Sequence, residues 1–243
     1  ARLMADGACV MLVDRDAIAL EDVRAGFAKQ FGKDMIRSAM CDVTDETQVR
    51  AAFDSCAREF GGLDILVANA GIASSAPIEE TTVELWRKNY DVLAEGYFLT
   101  ARSAFPLMKA MKDQGGASIV FIGSKNGIAA ATNASAYASA KAASLHLARC
   151  LALEGAPFGI RVNTVCPGFT RTARLEELAH VRAQATGTTP EQYLAGLSKV
   201  VPLGRIAEPE EIGAVVAFLC SERASYLTGL TLPVDGGATR GLL

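Results

Sequence analysis

The chain has 243 residues, of which 50% are hydrophobic and 21% are charged, so it can form one large buried core. The formal net charge of −3 gives no electrostatic reason to expect nucleic acid or an anionic membrane as a partner, and no apolar run approaches the ~18 residues of a membrane span. The six cysteines form no C-x-x-C pair and favour buried thiols in a reducing, cytoplasmic compartment over disulfides or a metal site.

Apolar runs typical of strands alternate with helical patterns along the whole chain. The predicted strands are 10–13, 36–40, 65–68, 119–122, 162–166 and 230–234, and the predicted helices are about 18–31, 46–60, 86–111, 136–154 and 210–219. Continuous apolar strands between helices predict a parallel sheet buried on both faces, and right-handed crossovers make it doubly wound and Rossmann-like. We therefore predict a single α/β domain over residues 1–243.

Five residues that could meet a ligand stand directly at the ends of predicted strands. They are Asp14, Asp42, Asn69, Ser124 and Pro167. In a doubly wound sheet, ligands bind at the carboxyl ends of the strands. The pattern therefore predicts a binding site at this edge of the sheet.

A serine, a tyrosine and a lysine are the candidate catalytic residues. Tyr137 and Lys141 lie four positions apart on a predicted helix and share a face, and Ser124 ends the preceding strand. A tyrosine has an ordinary pKa of about 10, which a nearby ammonium lowers, so the phenol could exchange a proton with a substrate oxygen. Ser124 could hold that oxygen by a hydrogen bond. The alternative is an amphipathic helix with an exposed lysine, because Tyr-x-x-x-Lys often arises by chance.

Small and acidic residues suggest a dinucleotide site. Asn69, Ala70 and Gly71 follow a strand and would let the backbone approach a ligand closely, although they could also form an ordinary turn. Asp14 could accept hydrogen bonds from ribose hydroxyls and repel a 2′-phosphate, which favours NAD over NADP. Arg15 leaves NADP open because it could pair with that phosphate. Asp14 could instead be a helix N-cap.

Two further positions could contact the same cofactor. Asp42 ends a strand and could bond an adenine amino group. The turn that begins at Pro167 and Gly168 could present backbone groups and the hydroxyls of Thr170 and Thr172 to a nicotinamide carboxamide. The alternative for this turn is simple strand termination.

In this order and spacing, the motifs resemble the short-chain dehydrogenase/reductase family over nearly the whole chain. The matching pieces are Asp14, 41–43, 69–71, Ser124, 137–141, 161–163, 167–168, 202–205, 208–211, 227–229 and 234–237. The resemblance implies that Tyr137 is the general acid/base and that Lys141 binds the nicotinamide ribose and lowers the pKa of Tyr137. Ser124 would orient the substrate oxygen. The resemblance places Asn69, Ala70 and Gly71 along the cofactor. It also places Asp42 and Val43 against adenine.

The resemblance also implies an assembly and a lid. Members of the family are usually homotetramers or homodimers that pair the helices that would here be about 88–112 and 136–155. The segment 170–200 would be a mobile substrate lid, which 187–190 should break into two short helices.

Two departures from the family pattern carry expectations of their own. Residues 1–243 lack the opening strand and its glycine-rich turn, so we expect a sheet without one central strand and a chain that is part of a longer polypeptide. Leu93 stands where the family often has an asparagine. Asn89 is out of register with that position, and Asn126 is a candidate substitute.

One subgroup is more similar than the rest. The stretches 91–98, 121–126 and 146–155 are similar to the dehydrogenase half of bifunctional rhamnulose-phosphate aldolase/alcohol dehydrogenases. The leading interpretation is an NAD-dependent oxidoreductase acting on a polar secondary alcohol, sugar or hydroxy-aldehyde, without a metal. A 3-oxoacyl-type ketone reductase and a non-catalytic scaffold or nucleotide sensor are the alternatives.

Overall fold

The computed structural model of the protein describes residues 1–239, apart from the side chains at positions 114, 185 and 186. Within this range, strands and helices alternate as the sequence predicts. The strands are β1 (Val10–Asp14), β2 (Ile36–Met40), β3 (Ile65–Ala68), β4 (Ala117–Ile122), β5 (Ile160–Pro167) and β6 (Thr231–Val234). The helices are α1 (Arg2–Ala5), α2 (Ala17–Phe31), α3 (Glu46–Phe60), α4 (Val83–Tyr90), α5 (Gly96–Lys109), α6 (Ser135–Gly155), α7 (Ala173–Thr186), α8 (Pro190–Lys199) and α9 (Pro209–Cys220).

The strands of the described residues pair in parallel, which confirms the predicted doubly wound α/β class. β1 pairs with β2, and β3, β4, β5 and β6 pair side by side in that order. No backbone pairing joins β1 to β3 within residues 1–239, so the sheet is divided into a two-stranded and a four-stranded part. The expected lack of a central strand is therefore seen as a break at this position.

The two-stranded part is less buried than predicted for strands covered on both faces. The side chains of Val13 and Met40 are 43% and 64% exposed, whereas Ile119, Val120 and Phe121 of β4 are fully buried. Among residues 1–239, β1 has a neighbouring strand on one edge only, so this part of the sheet has an open edge.

The core lies on both faces of the four-stranded part. Ile119 and Phe121 of β4 pack with residues of α5 and α6, while Val120 between them packs with residues of α9. Alternate residues of a strand point to opposite faces, so one apolar run supplies both layers. Each such buried side chain stabilises the fold by roughly 1.5–3 kcal/mol, and the rigid sheet then fixes the loops at its carboxyl edge.

Side-chain caps start the helices that flank this edge. The carboxylate of Asp16 accepts hydrogen bonds from the backbone N–H groups of Ile18 and Ala19, so Asp16 is the N-cap of α2. The alternative role of Asp14 as an N-cap is therefore wrong. Thr189 begins α8 with a capping box, and its contacts explain the predicted break of the 170–200 segment into α7 and α8.

The long helix predicted over 86–111 is interrupted. It begins earlier, at Val83, and Asp91–Glu95 forms a π-helical turn between α4 and α5. A π-turn inserts one extra residue into the helix, so the residues after it are rotated relative to the residues before it. Pattern analysis assumes one unbroken 3.6-residue repeat and missed this change of register.

Among residues 1–239, no helix combines the length and the apolar character needed to cross a membrane.

Candidate active site

Ser124 is fixed at the carboxyl end of β4 by a close approach of the backbone. A Cβ atom at Gly123 would lie 2.8 Å from Cys166 Sγ and 2.9 Å from Thr164 Cγ2, so only glycine lets this segment pack against β5. The backbone N–H of Gly123 also donates to the Val165 carbonyl at 2.7 Å. The Ser124 hydroxyl begins the next turn by accepting a hydrogen bond from the Asn126 N–H at 3.2 Å.

Tyr137 lies in the first turn of α6 and faces Ser124. Its ring packs against a cluster that contains Val92, Leu93 and Ala140. Burial raises the pKa of the Tyr137 phenol, and a hydrogen bond with the Ser124 side chain and the positive charge of Arg174 partly offset that rise. The structure therefore brings together the predicted serine and tyrosine.

Lys141 is one turn further along α6 and is 4% exposed. Its ammonium donates to the Ile122 carbonyl at 2.6 Å and to the Tyr97 hydroxyl at 3.0 Å. Burial lowers the pKa of Lys141 to about 8. The alternative of an exposed lysine on an amphipathic helix is therefore wrong.

Leu93 fills the space beside the strand end that the sequence predicts to lie along a cofactor. Its side chain is fully buried, and its Cδ2 would lie 3.4 Å from a Cβ atom at Gly71. Asn89 is also fully buried, but its amide bonds the Leu85 carbonyl and the Ser74 hydroxyl, so it has a structural role in α4. Asn69 and Ala70 are exposed at the carboxyl edge of β3.

A cleft of about 460 Å³ lies at the carboxyl ends of β1 and β2. Its lining consists of Arg15, Asp16, Met40, Asp42 and Gln48. The Asp42 carboxylate accepts two hydrogen bonds from Thr44, one from the backbone N–H and one from the hydroxyl, which hold the pKa of Asp42 below its usual range.

The acidic and basic candidates for ribose recognition stand at this cleft. Arg15 lies 3.8 Å from the second carboxylate oxygen of Asp42. The Asp14 carboxylate accepts from the Asp16 N–H at 2.9 Å and is exposed at the end of β1. The side chain of Val43 packs against Gly96 of α5, where an added Cβ atom would lie 2.9 Å from Val43 Cγ2, so Val43 would meet a cofactor at this cleft through its backbone.

The turn after β5 is held by the strand beside it. The Gly168 N–H donates to the Val234 carbonyl at 3.0 Å, and a Cβ atom at Gly168 would lie 2.7 Å from Asp235 Cβ. Thr172 is the N-cap of α7, where its hydroxyl accepts from the Leu175 N–H at 3.3 Å. The Thr170 hydroxyl lies 3.4 Å from the Gly168 carbonyl, so local contacts occupy both threonines.

Three residues near the candidates were missed by the sequence analysis. Arg174 of α7 donates to the Gly71 carbonyl at 3.0 Å, which joins the 170–200 segment to the end of β3. Cys166 of β5 is buried next to the backbone of Ser124, and burial raises the pKa of its thiol to about 11. Tyr97 contacts Lys141 from 44 positions earlier in the chain. Spacing within one element cannot reveal contacts of this kind.

The donor and acceptor groups fit the two ends of a dinucleotide. Asp42 in the β1–β2 cleft and Asp14 at the end of β1 beside it have carboxylates that offer acceptors for hydroxyl and amino groups. At the other end, an ammonium has three N–H donors, and Lys141 uses two of them within the protein. Within residues 1–239 the third N–H has no hydrogen-bond acceptor, so Lys141 could hold a ribose hydroxyl.

Known proteins match this chain over nearly all of its residues. A family model described as enoyl-(acyl carrier protein) reductase matches residues 1–239. The cis-4-hydroxycyclohexanecarboxylate dehydrogenase of Sinomonas cyclohexanicum is 36% identical over 98% of this chain and 90% of that protein. The solved structure of L-sorbose reductase from Gluconobacter frateurii, complexed with NADPH and L-sorbose, superposes with a TM-score of 0.93 at 31% identity and covers 99% of this chain and 90% of that one.

One relative is much longer than this chain. YuxG of Bacillus subtilis (strain 168), an uncharacterised oxidoreductase, is 41% identical over 240 residues, which is 97% of this chain and 34% of that protein. The chain therefore spans about a third of the length of this relative.

Proposed function

The chain belongs to the short-chain dehydrogenase/reductase family, and from this we propose that it transfers a hydride between a nicotinamide cofactor and a polar secondary alcohol or the matching ketone. One observation carries the proposal. The Ser124 side chain lies beside Tyr137 and favours its phenolate at the carboxyl edge of the sheet, and Lys141 is anchored to the Ile122 carbonyl two residues before Ser124. A proton-exchanging phenol, a hydroxyl donor and a buried cation thus share one site.

In this proposal, Tyr137 takes the proton from the substrate hydroxyl during oxidation and returns it during reduction. Ser124 donates a hydrogen bond to the substrate oxygen and holds it in line with the phenol. Burial raises the pKa of Tyr137, so the phenolate needs positive charge nearby. Arg174 supplies such a charge in the structure, and in this proposal the Lys141 ammonium adds to it at neutral pH. A bound nicotinamide would supply the hydride acceptor or donor.

We propose NAD as the cofactor, held by Asp14, Asp42, Val43, Asn69, Ala70, Gly71, Tyr137, Lys141, Pro167, Gly168, Thr170 and Thr172. The exposed carboxylate of Asp14 at the end of β1 supports NAD because it would repel a 2′-phosphate. Arg15 is already paired with Asp42, which reduces its availability for that phosphate. The L-sorbose reductase was solved with NADPH, so both cofactors belong in the test.

The proposed substrates are polar secondary alcohols, sugars and hydroxy-aldehydes. The names of the relatives support this class, since they include a hydroxycyclohexanecarboxylate dehydrogenase, a butanediol dehydrogenase and an L-sorbose reductase. A narrower proposal is the dehydrogenase half of a bifunctional rhamnulose-phosphate aldolase/alcohol dehydrogenase. It rests on the stretches 91–98, 121–126 and 146–155, and the greater length of YuxG is compatible with it.

We also propose a homotetramer or homodimer in the cytoplasm, with the segment 170–200 covering the substrate. Exposed apolar side chains on the two helices that would pair support the assembly: Phe98 of α5 is 43% exposed and Leu153 of α6 is 80% exposed. The six cysteines are all unpaired, which supports a reducing compartment. The Arg174 contact with Gly71 supports a lid closing on the cofactor side.

The proposal is tested by NADH absorbance with purified full-length protein and a panel of polyols, cyclic hydroxy acids and hydroxy-aldehydes, each with NAD and with NADP. Tyr137→Phe should reduce kcat by at least about a hundredfold while the far-ultraviolet circular dichroism stays the same. The matched control is Tyr226→Phe, which removes a hydroxyl from a fully exposed tyrosine. Substantial turnover by Tyr137→Phe would refute the catalytic assignment.

A second candidate function is the reduction of a 3-oxoacyl-type ketone. The description of the matching family model names an acyl-carrier-linked substrate, although an enoyl reductase reduces a carbon–carbon double bond and not a ketone. A panel that includes a 3-oxoacyl thioester separates it from the alcohol class. A scaffold or nucleotide sensor would instead bind NADH, seen as a change in its fluorescence, without turning over any compound of the panel.

A further inference from the structure

The hydroxyl of Tyr97 forms an internal hydrogen-bonded triangle with the side chain of Lys141 and the backbone of β4. Tyr97 Oη donates to the Ile122 carbonyl at 2.7 Å, and Lys141 Nζ donates both to that carbonyl at 2.6 Å and to Tyr97 Oη at 3.0 Å. Tyr97 is 1% exposed, and its ring packs edge-on against Phe121 with the centroids 4.9 Å apart. The three groups come from three elements, α5, α6 and β4.

The chemistry of the triangle fixes the direction of each bond. An ammonium can only donate, and a carbonyl can only accept, so the Tyr97 hydroxyl must accept from Lys141 and donate to Ile122. Lys141 Nζ also lies 4.8 Å from the centre of the Tyr97 ring, which adds a cation–π attraction. Two of the three N–H bonds of Lys141 are therefore directed inward, and the third points away from both acceptors.

We propose that Tyr97 is a positioning residue for Lys141: its hydroxyl fixes the ammonium so that one N–H bond is presented to the cofactor ribose. A buried ammonium on a four-carbon stem has many rotamers and a high desolvation cost. Two fixed acceptors remove that freedom and solvate the charge where water is excluded. The inference rests on the proposed function only for the identity of the group that the third N–H meets.

Other titratable groups also face this lysine, and the test has to separate them from Tyr97. Cys166 of β5 and Arg174 of α7 both act on the charge of Lys141, the first favouring the ammonium and the second opposing it. Tyr137, on the same helix as Lys141, acts on Tyr97. Burial raises the pKa of Tyr97 itself, so its hydroxyl keeps its proton while Lys141 titrates.

The first measurement uses the wild-type protein without cofactor, labelled with ¹³Cε-lysine and ¹³Cζ-tyrosine. The sequence has eight lysines and five tyrosines, and Lys141→Met and Tyr97→Phe identify the two signals. We expect the Tyr97 signal to shift with the same pH midpoint as the Lys141 signal, because deprotonation of the amine changes the hydrogen bond that the phenol accepts. A Tyr97 signal that stays constant while Lys141 titrates would overturn the inference.

The second measurement compares the variant Tyr97→Phe with Thr100→Val. Tyr97→Phe keeps the ring against Phe121. Thr100→Val removes a hydroxyl from the same helix, and the partners of that hydroxyl among the described residues are the carbonyls of Gly96 and Tyr97. Loss of one hydrogen bond to a charged group weakens proton binding by about tenfold, so the titration midpoint of Lys141 should fall by about one pH unit in Tyr97→Phe. Thr100→Val should leave it unchanged.

Cofactor binding supplies a readout that a merely structural tyrosine would not change. We expect the Kd for NADH, measured by fluorescence, to rise about tenfold in Tyr97→Phe, and the alkaline limb of kcat/KM to move to lower pH. An unchanged Lys141 midpoint together with an unchanged Kd refutes the positioning role. If the wild type turns over no substrate, the proposed function fails, but the titration still decides the inference.

Discussion

Relative to wild type, the variant Lys141→Met should gain more free energy of unfolding at neutral pH than at alkaline pH. Lys141 is 4% exposed, and burial lowers its pKa from 10.5 to about 8. An unfolded chain therefore holds a proton on this lysine up to about pH 10.5, whereas the folded protein releases it near pH 8. Methionine has a similar length, no charge and no proton to lose.

The size of the effect follows from the linkage between proton binding and folding. At about 1.4 kcal/mol for each tenfold change in proton affinity, the wild-type lysine lowers the free energy of unfolding by about 3 kcal/mol at pH 7. The pKa of Lys141 is lower in the folded protein than in the unfolded chain. The loss of unfolding free energy is therefore fully present below pH 8 and becomes smaller as the pH rises towards 10.5. At pH 10 only about 1 kcal/mol of it remains.

Urea unfolding of both proteins between pH 7 and pH 10 measures the effect. The hydrogen bonds of Lys141 and the packing of methionine set a constant offset, so the prediction concerns the pH dependence. The free energy of unfolding of the variant minus that of wild type should fall by about 2–3 kcal/mol between pH 7 and pH 10. Lys199→Met, which removes an exposed ammonium, is the control for loss of one charge. A difference that stays constant within about 1 kcal/mol would show that burial does not perturb Lys141 in this way.

Three further outcomes are expected. Gly168→Ala should destabilise the fold by about 1–3 kcal/mol in urea unfolding, because its Cβ would lie 2.7 Å from Asp235 Cβ; an unchanged midpoint would contradict this tight contact. Ellman's reagent at pH 8 should react quickly with the exposed thiols of Cys9 and Cys150, more slowly with the half-buried Cys220, and with the other three only after unfolding, so more than three reactive thiols in the native protein would be inconsistent with the described burial. Leu93→Asn should cost about 1–3 kcal/mol, because it places an amide in a fully buried site among the apolar side chains of Val92 and Ala140, and a thermal melt equal to wild type would count against that packing.

Local pattern was sufficient for most of the architecture. β3 and residues 119–122 of β4 are continuous apolar runs, and adjacent residues such as Val120 and Phe121 point to opposite faces and supply both layers of the core. The break at Thr189 and Pro190 was predictable because capping chemistry depends on residues only three positions apart. The pair Tyr137 and Lys141 was predictable for the same reason, since one helical turn sets their relation.

Long-range contacts decided the rest of the site. Tyr97 meets Lys141 across 44 positions and Ile122 across 25, and no periodicity within one element encodes such a meeting. The π-turn at Asp91–Glu95 also escapes pattern analysis because it changes the helical repeat without a change in composition.

The sequence by itself determined the order of elements, the family and the residues at the carboxyl ends of the strands, because these follow from side-chain chemistry at short separations. Only the tertiary structure decided that Lys141 is buried with a Tyr97 partner and that the described sheet is divided between β1 and β3. The physical reason is that burial and pairing depend on which distant segments pack together, and the packing of the whole core sets that.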